Sequence, residues 1–230
     1  MNTRLVSTVA VLICGLTISL FAGPTVTIQD SPYQAGEGGE FNAVIIGSGI
    51  ADLPPGSQFA TFCLEKNEYI TLGNSYYAKA NTYADRGGVG GGPFDPLDPR
   101  TAWLYNEFLN QTLSGYDFGT TTGRRSSAEA FQHAIWYLEQ EETTNDINKL
   151  TSSIKNATWS FVNQANASDW HQQGAIGDVR ILNLYQDAKG FQPAQDVLSR
   201  LDPTVPAPGA ILLTGLGTAL VGVVRRRRAI

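Results

Sequence analysis

Four segments in the first half of the chain are short, β-branched or aromatic runs: TVTIQD (25–30), EFNAVIIG (40–47), QFATFCLE (58–65) and NSYYAKANTYA (74–84). Gly, Pro, Asp and Ser separate them, and the pattern predicts antiparallel strands. In the third run, strict alternation assigns Phe59, Thr61, Cys63 and Glu65 to one face and Ala60, Phe62 and Leu64 to the other. A connection rich in Gly and Asp-Pro (84–103) follows, which suits neither a helix nor a central strand. The period then changes. Trp103, Leu104, Phe108 and Leu109 fall near helical spacing and predict a first helix. Ser126 followed by Glu129 has the spacing of a capping box and predicts the start of a second helix. Phe131, Ala134, Ile135 and Leu138 form its apolar stripe, with Gln132 on the border and Trp136 one turn further. Residues 145–170 read as weakly helical and then loop. Alternation returns in DVRILNLYQD (178–187), and QDVLSRL (195–201) supplies a last short strand. Strands, helices, then strands imply an α+β fold: an antiparallel β-sandwich or barrel with an inserted helical subdomain.

The two ends differ from this middle. Residues 1–22 carry one arginine and a long apolar run that ends in small residues, the layout of a signal peptide. At the other end Val205, Pro206, Ala207 and Pro208 precede a 16-residue apolar run, Gly209 to Val224, and then Arg225, Arg226, Arg227 and Arg228. The run is read as a C-terminal transmembrane helix serving as a transient inner-membrane anchor, its arginines held on the cytoplasmic side. The expected organisation is a signal peptide over 1–22, one domain over 23–204 and a C-terminal segment over 205–230.

Removing Arg4 and the four terminal arginines leaves 11 basic against 21 acidic residues, a balance of −10. Such a domain disfavours nucleic acid and anionic membrane as partners. With two histidines, His133 and His171, and no Cys/His spacing of a metal site, no metal or other cofactor is expected. Asp85, Asp95 and Asp98 lack the alternating spacing of a calcium loop and read as a solvated connection. The glycine-rich stretch has no Lys-Ser/Thr of a phosphate loop, and neither histidine has an identifiable nucleophile and acid partner for hydrolysis.

Cys14 falls inside the leader, so Cys63 is the one cysteine expected to survive export. Such a residue pairs between chains, stays buried or does chemistry. Two elements, Phe62-Cys63 and Phe131-Gln132-His133-Ala134-Ile135-Trp136, together resemble the thioester domains of bacterial surface adhesins. The C-terminal segment, with its Pro motif, apolar helix and arginine cluster, resembles the PEP-CTERM sorting signal of Gram-negative bacteria, with Ala207 where that motif has glutamate.

The first resemblance implies an internal cross-link between Cys63 and Gln132, with Phe62, Phe131 and Trp136 as candidates to shield it and His133 as a candidate to assist. Held geometry raises effective molarity to about 10⁵ M or more, enough for a thiol to expel ammonia from a carboxamide. A lysine of a surface or matrix protein, or a polysaccharide hydroxyl, would then take the acyl group in a single-use binding event rather than a catalytic cycle. The second resemblance implies processing by an exosortase and delivery to the cell surface or extracellular matrix, with a role in adhesion or biofilm. A plain buried cysteine is the competing reading of Cys63. Its functional counterpart is a non-covalent structural protein of the extracellular polysaccharide or biofilm matrix.

Overall fold

A computed structural model describes residues 23–201, apart from 37, 90, 91 and 120. In chain order its elements are β1 (Pro24–Gln29), β2 (Gln34–Ala35), β3 (Gly38–Gly39), β4 (Phe41–Gly47), β5 (Gln58–Thr61), β6 (Ser75–Asn81), β7 (Tyr83–Ala84) and β8 (Asp95–Pro96). There follow α1 (Pro99–Leu109), α2 (Thr121–Leu138), α3 (Thr144–Lys149), α4 (Ser152–Asn166), α5 (Asp169–Gln173), β9 (Val179–Tyr185) and β10 (Val197–Arg200). The fold is mixed α+β, as the sequence implied.

Six strands form one sheet in the order β10-β9-β6-β1-β4-β5, and every pairing in it is antiparallel. Its two edges meet just past the end of β5. Leu198 donates its N–H to Phe62 O at 3.2 Å, and Leu64 donates to Asp196 O at 2.9 Å. Between those bonds Cys63 stands opposite Val197 in a single bridge. Thr61 Oγ1 adds a 2.6 Å bond to Leu198 O. The sheet is therefore a nearly closed barrel, and Cys63 sits in its seam, where closure satisfies edge groups that an open sheet would expose.

Two apolar clusters divide the core. Val26, Ile28, Ala43, Ile45, Leu182 and Leu184 pack in one, which also takes in Cys63 and Trp136. The other joins the sheet to the helical layer through Phe62, Phe131, Phe108, Tyr105, Phe161 and Ile135. Consecutive residues at the seam thus serve opposite layers, Phe62 the helices and Cys63 the other cluster.

The structure corrects several expectations. Cys63 falls just outside β5, which ends at Thr61, and pairs only in an isolated bridge; the expected faces still alternate, Phe62 and Leu64 in one cluster and Cys63 in the other, but residues 61–65 are all buried because both faces are covered. The second helix starts at Thr121 rather than Ser126, which leaves the Ser126/Glu129 pair inside the helix. Its extra turn is held by tertiary contacts described below. The stretch read as weakly helical contains a 15-residue helix, α4, which buries Ile154, Phe161, Val162 and Ala165 against α2 and α1. Asp98 is the N-cap of α1 and accepts a 2.7 Å bond from Arg100 N. Among the described residues no group of three or more His, Cys, Asp or Glu could hold a metal ion. No helix among them is long and apolar enough to cross a membrane. The leader, the Val205–Pro208 motif, the apolar run and the arginine cluster lie outside the described residues.

Candidate functional site

Helix α2 has two buried faces. Ala128, Phe131, Ile135 and Leu138 look into the helical core, whereas Gln132 and Trp136, one turn apart, face the barrel seam and the β2–β3 hairpin. The Gln132 side chain is 2% exposed and reaches the backbone of Cys63. Its Nε2 donates to Cys63 O at 2.8 Å, and its Oε1 accepts from Cys63 N at 3.1 Å. The carboxamide thereby imitates a neighbouring strand, exchanging both bonds with one residue. The Cys63 side chain, carried by the same residue, is buried in the cluster that also takes in Trp136.

A second donor completes the oxygen's surroundings. Gly39 N points at Oε1 from 3.3 Å, so two backbone N–H groups converge on it. The hairpin comes this close because β3 is Gly38-Gly39. A Cβ on Gly38 would meet Gln132 Cγ at 2.5 Å and both Cδ and Oε1 at 2.8 Å, and Gly39 adopts φ 121°, a conformation that favours glycine. Next in sequence, Glu40 is 4% exposed and takes Arg124 Nε at 2.8 Å and Arg124 Nη2 at 2.7 Å, with Tyr116 OH at 3.2 Å. The Arg124 guanidinium also stacks 4.2 Å from the Tyr33 ring centroid. This clamp ties the hairpin to the first turns of α2. It also accounts for the helix starting five residues before the Ser126 cap expected from sequence.

Burial holds the Cys63 thiol neutral, pushing its pKa up to about 12. Phe62 and Phe131 are fully buried, 4.6 Å apart by ring centroids, and lie in the helical core. They back the site from inside rather than cover its entrance. Trp136 is 4% exposed and packs in the cluster that holds Cys63, and its Nε1 is buried without an acceptor.

Solvent reaches the site through a cleft of about 210 Å³, lined among others by Gly38, Lys66, Glu129, Gln132, His133 and Trp136. His133, the candidate to assist in the sequence reading, shares this cleft with Gln132. His133 Nδ1 lies 2.8 Å from Oε2 of the buried Glu142 and 3.0 Å from its Oε1, and Lys66 Nζ pairs with the same carboxylate. Desolvation works against the Glu142 charge, but hydrogen bonds from His133 and Lys66 outweigh it and hold the group below the usual carboxylate range. The imidazole meets Trp136 edge-on at 5.6 Å, and Lys66 Nζ lies 5.4 Å from the indole centroid.

Glu142 enters the site because α2 ends in a Schellman turn. Glu141 N bonds to Trp136 O at 2.7 Å and Gln140 N to Tyr137 O at 3.3 Å, with Gln140 left-handed at φ 67°. The chain folds back over its last turn and returns Glu142 to His133. Sequence reasoning missed Glu142, Lys66, Glu40 and Arg124, and also the two hairpin glycines. The left-handed position carries glutamine where glycine would have signalled the turn.

Beyond Cys63 the seam carries buried carboxyls. Glu65 is 1% exposed, its Oε2 has no partner, and desolvation followed by repulsion from Glu141 pushes its pKa up to about 10. Desolvation likewise lifts Glu139 and Asp196, each to about 8. These groups keep protons in the fold that the unfolded chain gives up near pH 4. The folded state therefore binds more protons above that pH, and stability falls as pH rises through 8 and toward 10. The melting temperature of the described domain is expected to be higher at pH 5 than at pH 9, with Glu65→Gln flattening part of the slope. A melting temperature that climbs from pH 5 to pH 9 would contradict these assignments.

Comparison of the chain with protein-family models, curated proteins and solved structures finds no match.

Proposed function

We propose that this is an exported cell-surface protein in which Cys63 and Gln132 condense to an internal thioester, and that the bond attaches the domain covalently to a surface or matrix partner. One observation carries the reading: the Gln132 carboxamide is docked on the Cys63 backbone with its oxygen between two backbone N–H groups. Attack of Sγ on Cδ moves negative charge onto Oε1, where Cys63 N and Gly39 N stand ready as an oxyanion hole. Collapse of that adduct breaks the Cδ–Nε2 bond, and ammonia leaves with the thiol proton. A thiol of pKa about 12 supplies about one thiolate in 10⁵ at pH 7. An effective molarity of about 10⁵–10⁸ M offsets that fraction, and the event is needed once per molecule. The product carries no charge, which suits a site that resists ionisation.

Export and sorting rest on the leader and on the Val205–Pro208, apolar and Arg225–Arg228 segment, whose resemblance to a PEP-CTERM signal implies an exosortase as processing partner. Because the bond is consumed in use, the domain is a single-use binding module and not an enzyme.

The second reading is a non-covalent structural protein of the matrix. It is favoured by the neutral thiol, and by the fact that Gln132 satisfies the buried N–H and C=O of Cys63 without any chemistry. Intact mass and thiol titration of the purified domain separate the two. The thioester reading expects a deficit of about 17 Da, no titratable thiol, and release of the thiol by methylamine. Full mass with a free thiol in the folded domain would end it. The same deficit with a free thiol would instead indicate an amide between Gln132 and Lys66, which lines the same cleft.

A further inference from the structure

We propose that the loop end of the barrel carries a second binding site, a groove that takes a neutral oligosaccharide, with Tyr69 as the ring on which a sugar unit stacks. The groove is separate from the Gln132 cleft, and its occupancy does not depend on a thioester. Consecutive residues divide the two: Lys66 lines the Gln132 cleft and Asn67 the groove. Three connections meet at this end, those from β5 to β6, from β7 to β8 and from β9 to β10. They are tied to one another. Gln195 N donates to Tyr69 O at 3.4 Å and Gln195 Nε2 to Glu65 O at 2.7 Å, and Tyr185 OH donates to Asp85. The four large apolar side chains that stand exposed among the described residues, Tyr69, Val89, Phe94 and Phe191, all lie on these connections. Scattered singly over a surface such residues need no explanation, but their gathering at one end marks a contact surface.

Tyr69 is 78% exposed and lines two clefts, of about 340 Å³ and about 500 Å³. Asn67, Glu68 and Arg86 share the first with it, and Thr71, Asn74 and Gln186 the second. Both volumes fall in the range of roughly 300–1,000 Å³ usual for small-molecule sites, but such sites are mostly apolar and these are not. Amides and hydroxyls around an exposed ring select a ligand of matching make-up: hydroxyls that both donate and accept, and a C–H face to lie on the negative face of the ring. A pyranose offers both. Two clefts that share one ring call for several linked units rather than a single sugar. A protein partner fits less well, because the centre of a protein interface is apolar and Tyr69 stands among polar groups. A polyanion is opposed by the balance of −10, and Arg86 is the one basic side chain among the residues lining the two clefts. The walls are held without a ligand. Tyr76 OH accepts from Thr71 N at 2.7 Å, and Asp187 accepts from Gln192 N at 2.7 Å and from Lys189 N at 2.8 Å. Preformed walls lower the ordering cost of binding a flexible chain.

The test titrates the purified protein with hexasaccharides of glucose, mannose, galactose and N-acetylglucosamine, with an oligogalacturonate and free glucose for comparison, and reads binding by saturation-transfer NMR and calorimetry. At least one neutral hexasaccharide is expected to bind, and free glucose to bind more weakly. Tyr69→Ala is expected to weaken that binding about 10-fold and to leave the melting temperature unchanged, since the ring is exposed. Tyr69→Phe keeps the ring and is expected to keep the affinity. Binding is expected whether or not the native protein shows the mass deficit, so failure here and failure of the thioester reading are told apart. No binding of any of the four neutral hexasaccharides at millimolar concentration would overturn the proposal. Tighter binding of the oligogalacturonate, equal affinity for free glucose, or native affinity in Tyr69→Ala would also overturn it.

Discussion

Gly38→Ala is expected to abolish the proposed cross-link while leaving Cys63 and Gln132 in the sequence. The added carbon would stand 2.5 Å from Cγ and 2.8 Å from Cδ of Gln132. Real packing does not tolerate that approach, and the near atoms belong to a side chain fixed by three hydrogen bonds. The carboxamide must leave the Cys63 backbone, which strands a buried N–H and C=O at about 1–3 kcal/mol each, with overpacking strain of similar size. Intact mass should return to the full value, with a titratable thiol and a lowered melting temperature. A variant that keeps the mass deficit would show that the hairpin does not hold the carboxamide in place.

Arg124→Ala is expected to be the most destabilising single change outside the apolar core. It leaves the Glu40 carboxylate buried with Tyr116 as its remaining partner. Removing one member of a buried ion pair costs about 3–5 kcal/mol. In a domain of this size each kcal/mol lowers the melting temperature by about 2–4 °C. Replacing both residues by leucine should recover most of the loss, because the cost lies in the unpaired charge and not in the absence of attraction. The two effects are linked, since Glu40 follows directly on the glycines that touch Gln132. Thermal unfolding monitored by circular dichroism checks both variants. A single variant that melts with the native domain would remove the clamp from the account.

The physics of each element explains how far sequence reasoning reached. β4 was legible because one of its faces is core and the other is half-exposed, so FNAVIIG alternates in burial as it does in polarity. β9 was read from alternation in DVRILNLYQD, yet it is buried along both faces apart from Arg180. The start of α2 was misplaced because Ser126 and Glu129 satisfy a local rule, whereas the Arg124–Glu40 clamp acts across 84 positions and leaves no local pattern. The meeting of Cys63 and Gln132, 69 positions apart, was expected only through a family resemblance. No periodicity of strand or helix specifies it. The two donors to Gln132 Oε1 were invisible for a plainer reason: they are backbone N–H groups, and Gly38-Gly39 is one short stretch in a chain of 24 glycines. His133 was a candidate by its adjacency to Gln132 alone. Its orientation rests on Glu142, which is brought back by a turn whose left-handed residue is Gln140.

The most direct measurement is a crystal structure of the folded domain at a resolution where the density between residues 63 and 132 can be followed atom by atom. The account expects continuous density from Sγ to Cδ at a covalent bond length, no density for Nε2, and Oε1 facing the amides of Cys63 and Gly39. Separate thiol and carboxamide density in a well-ordered seam, with Nε2 still bonded to Cys63 O, would contradict it.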